Sequence, residues 1–389
     1  MYEISLKRVL ITAVKMDERI IKETGKLGFG LMRLPHKGLG IDIEQTSGMV
    51  DLFMEAGGTY FDTAHVYPGS EAAAKKALVE RHSRDSFTLA TKLNASMLAV
   101  SATEKMTKKQ FETSLERTGA GYFDYYLLHA LDSKNYKRYE KFGIWDFAKE
   151  KKAQGQIRHV GFSFHGRPDL LEKLLTEHPE VEFVQLQINY ADWENDSVLS
   201  RANYEVARKF GKPIVVMEPV KGGKLADPPA EVQKLFKAYA PDRSCASWAI
   251  RFVASLDGIL TVLSGMSTIG QMEDNLSYMS NFEPFNEEEW EIIGKAMKLM
   301  GEVNDIPCTA CGYCTGGCPQ KIAIPDIFKA ANLQLGSGRL AEAKAAYAAA
   351  APEGRRASDC IECGQCESVC PQGIPVIKEL KRATEMFEG

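Results

Sequence analysis

Short apolar runs alternate with amphipathic stretches along most of this chain. The runs are rich in β-branched and aromatic residues, which is typical of buried strands. Between them, apolar residues recur at intervals of three and four, as on one face of a helix. Eight strand-like runs occur: Leu27–Leu31, Thr59–Asp62, Phe87–Lys92, Phe123–His129, Ile157–Phe162, Phe183–Gln187, Pro213–Met217 and Ile259–Leu263.

This strand–helix alternation predicts an α/β fold, a (β/α)8 TIM barrel over residues 27–285. A doubly wound parallel sheet is the alternative. It is disfavoured because no phosphate-binding glycine loop follows any strand. Residues 1–26 form an N-terminal extension that could contain a hairpin.

Size and charge narrow the class of protein. A chain of 389 residues favours two domains, and its net charge of −4 gives no support for binding nucleic acid or a membrane surface. The first apolar run is too short to span a membrane, and no signal-peptide cleavage site follows it. We therefore expect a cytoplasmic protein.

Eight of the nine cysteines lie between residues 308 and 370. They form two copies of C-x2-C-x2-C-x3-C-P, a spacing typical of two [4Fe–4S] clusters in which the fourth cysteine of each run binds the other cluster. One predicted ligand set is Cys308, Cys311, Cys314 and Cys370, and the other is Cys360, Cys363, Cys366 and Cys318. Zinc is the alternative, but it would leave the third cysteine of each run unused.

The cysteines define a second domain over residues 286–389. Helical spacing is evident at 287–300, 327–335 and 340–350, so we expect a small, mainly α-helical two-cluster ferredoxin-like domain. The remaining cysteine, Cys245, lies in an apolar helical pattern and is expected to be a buried hydrophobic residue.

Four polar residues follow three successive strands: Asp62, Tyr67, Lys92 and His129. In a parallel barrel, such strand ends converge on one face. A carbonyl that accepts a hydride needs a proton donor, and a tyrosine can serve if a nearby ammonium stabilises its phenolate. Lys92 would fill that role, Asp62 would hold Lys92, and His129 would bond the carbonyl oxygen. Taken singly, a strand-end lysine is usually solvated and a lone histidine is usually structural.

The stretch from Leu27 to Met279 resembles the aldo-keto reductase family, of the type with a C-terminal 4Fe–4S ferredoxin-like domain. The matching segments are LGFGLMRLP, YFDTAHVYPGSE, LATKL, FDYYLLHAL, IRHVGFSFHG and FVQLQINY. The resemblance implies that Asp62, Tyr67, Lys92 and His129 are a catalytic tetrad. It also implies a nicotinamide cofactor, NADPH or NADH, lying extended across the C-terminal face of the barrel.

The resemblance also implies cofactor contacts, at Ser163, Gln185, Glu218, Gly265, Gln271 and Asn275. Three features depart from the family pattern. Phe164 replaces an asparagine, and Glu218 replaces the aromatic residue that stacks on the nicotinamide. The segment 265–275 contains no Lys or Arg to bind a 2′-phosphate, so we expect NADH to bind at least as well as NADPH. Residues 222–224 could line the pyrophosphate or form a plain turn.

Together these features predict an NAD(P)H-dependent oxidoreductase that interconverts a small aldehyde or ketone with its alcohol. Because a hydride carries two electrons and each cluster accepts one, an intermediary such as a flavin would be needed for exchange, and no flavin site is evident. The clusters would relay electrons to a redox protein partner, or be structural. The alternative is an electron-transfer iron–sulfur protein whose barrel is a binding scaffold with little carbonyl reductase activity.

Overall fold

The computed structural model describes residues 24–95, 103–301, 305–337 and 339–389. The chain forms two compact units, each described separately below. The first contains the described residues up to Asn195, together with Leu199–Pro219 and Ala246–Trp290. The second contains Asp196–Val198, Val220–Cys245 and Glu291–Gly389. The hairpin considered for the N-terminal extension falls before residue 24, outside the described residues.

The first unit is built on a closed barrel of eight parallel strands, which confirms the predicted fold. Each barrel strand pairs with its neighbours in chain order, and the last strand closes on the first. A two-stranded antiparallel hairpin that the sequence did not indicate follows the first strand. In chain order the strands are β1 (Leu27–Gly30), the hairpin strands β2 (His36–Lys37) and β3 (Gly40–Ile41), then β4 (Tyr60–Asp62), β5 (Thr88–Leu93), β6 (Phe123–Leu131), β7 (Ile157–Phe164), β8 (Phe183–Gln187), β9 (Ile214–Met217) and β10 (Ile259–Ser264).

Helices lie between these strands and after the last of them. They span Ile43–Glu55, Ser70–Ala74, Glu104–Thr118, Tyr136–Lys141, Ile144–Ala153, Pro168–Glu177, Ser200–Lys209, Cys245–Ala254, Ile269–Met279 and Glu287–Gly301. Between β6 and β7 the chain forms two helices rather than one, because Gly143 adopts φ +57° between them. The helix that begins at Ser70 is short and continues as a π-helical turn over Lys75–Val79.

The first long helix shows how local sequence sets element boundaries. Its N-cap is Asp42, whose carboxylate accepts a hydrogen bond from the Gln45 amide. The helix ends at Glu55, and Gly57 then adopts φ +85°. At Gly58, a Cβ atom would lie 2.5 Å from the Phe53 ring, so only glycine lets the chain turn so tightly into β4.

Large side chains fill the barrel interior. Tyr60, Tyr125 and Phe183 are buried, and the Tyr125 ring lies 4.9 Å from that of Tyr60 and 5.2 Å from that of Phe183. Burying each such side chain contributes about 1.5–3 kcal/mol. The interior is therefore a packed core, and any site must lie at the rim of the barrel.

The described residues of the second unit form helices joined by loops, without a strand, as expected for a mainly α-helical domain. Its own helices span Ala230–Tyr239, Ile324–Ser337, Leu340–Ala350, Gln365–Ser368 and Val376–Phe387. Ile327, Phe328, Tyr347 and Leu380 belong to its buried core, and six of the eight clustered cysteines pack against or within that core. The described part of the chain contains no helix that is both long and apolar enough to span a bilayer.

Candidate active site and cluster ligands

Strand register brings the acid and the amine of the predicted tetrad onto one face. Asp62 pairs with Ala90 across β4 and β5, so Lys92, two residues further on, points to the same side. The Lys92 ammonium donates to Asp62 Oδ1 at 2.5 Å and to the Thr63 carbonyl at 2.7 Å. Both side chains are buried, so this is an ion pair sealed from bulk water.

Burial also sets the ionisation of this pair. It lowers the pKa of Lys92, while the Asp62 carboxylate opposes that shift. It likewise raises the pKa of Asp62, against the effect of Lys92. Asp62 Oδ2 has no hydrogen-bond partner among the described residues. The bond from Lys92 to Oδ1 is therefore the main contact that stabilises the charged carboxylate.

Tyr67 lies in the loop between β4 and the helix that begins at Ser70. Its amide donates to the Ala64 carbonyl at 3.0 Å, which closes the turn that carries the ring. The ring centroid is 5.2 Å from Lys92 Nζ and 5.7 Å from that of His129, which it meets at 81°. The structure thus brings all four predicted catalytic residues together.

His129 is buried near the end of β6, and no described residue bonds its Nδ1. Burial lowers the pKa of His129 well below its usual value, and the nearby Lys92 and His165 lower it further. The ring is therefore neutral at physiological pH. A neutral imidazole beside an ammonium can donate one hydrogen bond to an oxygen atom without competing with Tyr67 as the acid.

Ser163 and Gln185 are paired residues on β7 and β8. Ser163 Oγ accepts a hydrogen bond from the Ala130 amide at 2.7 Å. Gln185 Nε2 faces Met217 Sδ at 3.5 Å, and its buried Oε1 has no partner among the described residues. An orphaned amide oxygen needs a donor, and a carboxamide N–H2 supplies one, so these residues fit a nicotinamide.

Three of the other expected cofactor residues follow β10 in the chain. Gln271 is occupied locally, because its Oε1 accepts from the Ser267 amide at 2.7 Å. Asn275 is buried, and its Oδ1 has no partner within the described residues. Gly265 leaves room for Arg33, because a Cβ atom added at Gly265 would lie 3.3 Å from Arg33 Cδ.

Arg33 is a site residue that the sequence analysis missed. Its guanidinium lies 3.7 Å from Glu218 Oε1, and its carbonyl accepts from Ser267 Oγ at 2.6 Å. Glu218 has φ +57°, and its carbonyl accepts from Asn189 Nδ2 at 3.1 Å. The mouth of the barrel therefore does contain a base, although segment 265–275 has none. Arg33 follows the end of β1, and a polar residue after a strand end is the same signal that identified the tetrad.

Residues 222–224 contact the start of the first cysteine run within the second unit. A Cβ on Gly222 would lie 2.5 Å from the Thr309 carbonyl oxygen, so only glycine fits against this part of the first cysteine run. Lys224 donates to Asp305 Oδ2 at 2.8 Å and to the Ile306 carbonyl at 2.6 Å. These contacts brace the start of the cysteine run.

The clustered cysteines fall into two spatial groups. Burial, followed by the charges of Cys311, Cys308 and Cys370, raises the pKa of Cys314 to about 12. The other group lines a hollow that is open to solvent. Its members are Cys318, Cys360, Cys363 and Cys366. Each group combines three cysteines of one run with the last cysteine of the other.

The pattern of cysteines in each run suits clusters better than single ions. All nine cysteines are free of disulfides. No three Cys, His, Asp or Glu side chains in the described ranges are arranged to hold one metal ion. A tetrahedral zinc site would draw its sulfurs to about 4 Å from one another, whereas a cubane holds its cysteines further apart at its corners.

The protein thus combines a barrel that contains a buried Lys–Asp pair with a helical unit that contains two groups of thiols. These are the features of a barrel enzyme with an iron–sulfur domain. Residues 26–298 match the Aldo/keto reductase family model, and the chain belongs to that family. Residues 307–374 match the 4Fe-4S dicluster domain. The expected family, the predicted fold and the predicted iron–sulfur domain are thereby confirmed.

Similar proteins match part of this chain. The aldo-keto reductase str7 of Strobilurus tenacellus is 28% identical over 218 residues, which cover 54% of this chain and 62% of that protein, less than two thirds of its length. An aldo-keto reductase of Mycobacterium avium is 29% identical, with 63% of this chain and 80% of that protein covered. Among solved structures, the holo form of aldo-keto reductase AKR11C1 from Bacillus halodurans has a TM-score of 0.57 at 25% identity and covers 69% of this chain and 91% of its own.

Proposed function

We propose that this protein is an NAD(P)H-dependent oxidoreductase that interconverts small aldehydes or ketones with their alcohols. The observation that carries the proposal is the sealed Lys92–Asp62 pair, with its 2.5 Å contact, beside the rings of Tyr67 and His129. A bound dihydronicotinamide would supply the hydride.

Each member of the tetrad has a distinct role in this proposal. Tyr67 donates its phenolic proton to the carbonyl oxygen as negative charge develops there. Lys92 stabilises the resulting phenolate, and Asp62 keeps the ammonium oriented despite its burial. His129, being neutral, donates a hydrogen bond to the same oxygen and orients the substrate.

The cofactor would be held by Ser163 on β7, by Gln185 on β8 and by Asn275 on the helix Ile269–Met279. The unpaired oxygens of Gln185 and Asn275 support this, since both need donors. A Klebsiella pneumoniae aldo/keto reductase of the same fold was solved in complex with NADP and acetate, with a TM-score of 0.57 at 19% identity. We propose that this chain binds NADH at least as well as NADPH.

The second unit would hold two [4Fe–4S] clusters through the two cysteine groups described above. Cys363 is exposed, and the neighbouring Ile361 is 57% exposed, so the cluster bound by the Cys318, Cys360, Cys363 and Cys366 group would reach the surface. Electrons could leave there to a redox protein. We propose residues 286–389 for this domain, and the compact unit that contains it begins at Glu291 and includes Val220–Cys245.

A carbonyl reduction assay tests the proposal. Methylglyoxal is a suitable first substrate, because a Yersinia pestis relative, 25% identical over 246 residues, is named methylglyoxal reductase DkgA. NADPH and NADH oxidation would be followed in the cluster-loaded protein across methylglyoxal and a series of aldehydes and ketones. Tyr67→Phe should lower kcat by about 100-fold or more, since one acid–base group contributes 10²–10⁴-fold.

Tyr60→Phe is the matched control, because the buried Tyr60 hydroxyl has no partner among the described residues. It should leave kcat unchanged. The alternative function, electron transfer with a scaffold barrel, is favoured by Glu218, which cannot stack on a nicotinamide as an aromatic residue would. Equal rates for Tyr67→Phe and the wild type in every substrate tested would support that alternative and refute the carbonyl reductase proposal.

A further inference from the structure

His129 lies in an irregular part of strand β6. Leu128 pairs with Phe162 and Leu131 with Phe164, so β6 holds one more residue than β7 between these two pairs. Ala130, immediately after His129, has φ +56°, which is unfavourable for a residue with a Cβ. A bulge of this kind redirects side chains and persists only where its surroundings hold it.

Three side chains hold this bulge through its backbone. Tyr139 Oη donates to the His129 carbonyl at 2.5 Å. Ser163 Oγ accepts from the Ala130 amide, and Asn135 Nδ2 donates to the Ala130 carbonyl, each at 2.7 Å. Every peptide group flanking the Ala130 Cα atom is therefore fixed by a side chain.

Tyr139 also connects this bulge to the strand that carries Lys92. Its hydroxyl accepts from the Ala95 amide at 3.1 Å, and Ala95 follows the end of β5. The neighbouring Arg138 donates to the Ala95 carbonyl at 3.3 Å. Tyr139 is fully buried, so its hydroxyl bridges two strand ends in a place that water does not reach.

We propose that Tyr139 is a positioning residue, whose hydroxyl fixes the His129 backbone relative to Lys92 and so aims the His129 ring at the substrate oxygen. This inference rests on the proposed function, because it requires His129 to act on a carbonyl. Since His129 Nδ1 has no partner among the described residues, its backbone and packing set the direction of the ring.

A double-mutant cycle distinguishes positioning from general structural support. With methylglyoxal and NADPH, Tyr139→Phe should lower kcat by about 10–100-fold, the loss expected from a displacement of about 1 Å. In a His129→Ala background the same change should have almost no effect on kcat, because the imidazole ring that Tyr139 would position is absent. The dissociation constant of NADPH should be unchanged throughout.

Tyr126→Phe is the matched control, since Tyr126 lies on the same strand and its buried hydroxyl has no partner in the described residues. Imidazole NMR signals of histidine-labelled protein give a readout that needs no turnover. Tyr139→Phe should shift the His129 signals, and Tyr126→Phe should not. Unshifted signals, or an equal loss of kcat in both backgrounds, would overturn the positioning role. Full activity of His129→Ala alone would instead refute the proposed role of His129 in catalysis.

Discussion

Replacing Lys92 with methionine tests the physical basis of the active site. The change removes the donor to Asp62 Oδ1 and to the Thr63 carbonyl while nearly preserving side-chain volume. Asp62 then remains as a buried carboxylate without its cation. Breaking a buried ion pair in this way typically costs about 3–5 kcal/mol of folding free energy.

The folding free energy lost in Lys92→Met has an upper limit that depends on pH, because Asp62 can take up a proton instead of staying charged. Burial already raises the pKa of Asp62, and losing Lys92 removes the main opposing effect. Each pH unit above an ordinary Asp pKa near 4 costs about 1.4 kcal/mol, so the upper limit is about 4 kcal/mol at pH 7 and about 1.5 kcal/mol at pH 5. The unfolded chain loses this proton first as pH rises, so stability falls with rising pH.

Urea unfolding followed by tryptophan fluorescence measures this effect. All four tryptophans lie in the barrel unit, at positions 145, 193, 248 and 290, so the signal reports on that unit. Lys92→Met should be much less stable than wild type at pH 7 and should recover by about 2–3 kcal/mol at pH 5. Adding Asp62→Asn should abolish that extra pH dependence. The control Lys108→Met removes the exposed pair with Glu104 and should change stability by no more than about 0.5 kcal/mol. A pH-independent loss in Lys92→Met would refute the reasoning.

Three further predictions concern the cofactors. Glu218→Gln should tighten NADH and NADPH binding about threefold to tenfold in fluorescence titrations, because it removes a negative charge from a site for anionic ligands; weaker binding would mean that the Arg33–Glu218 pair supports the site. Iron content should fall to about half in Cys366→Ser and stay at the wild-type level in Cys245→Ser, as expected if two four-iron clusters have separate ligand sets. In an anaerobic titration with NADPH or NADH, bleaching of the cluster absorption would show that electrons pass from nicotinamide to cluster, whereas unchanged colour with bound nucleotide would refute direct transfer between them.

Much of this architecture could be predicted because it follows from short-range patterns. Strand–helix alternation predicted the barrel, and a spacing rule predicted two thiol groups whose members are far apart in sequence. The strand-end rule likewise predicted where Lys92 and Asp62 would converge. Each of these depends on periodicity or chain order, which a single sequence records directly.

Other features depend on tertiary contacts and could not be predicted in this way. Arg33 follows a strand end as the tetrad residues do, but its position over Gly265 and beside Glu218 depends on how three loops pack. The need for glycine at position 222 depends on its contact with Thr309, which is distant in the sequence. Likewise, the bulge at Ala130 leaves no pattern in the sequence, since alanine rarely adopts a positive φ and is held there by distant side chains.

Isotope transfer tests the central claim most directly. The cluster-loaded protein would be incubated anaerobically with methylglyoxal, and with a panel of other carbonyls, in the presence of NADPH or NADH deuterated at C4 of the dihydronicotinamide. The account predicts deuterium on the former carbonyl carbon of an alcohol product, and a loss of this product in Tyr67→Phe. An alcohol that lacks the label, or labelled product formed equally well by Tyr67→Phe, would contradict it.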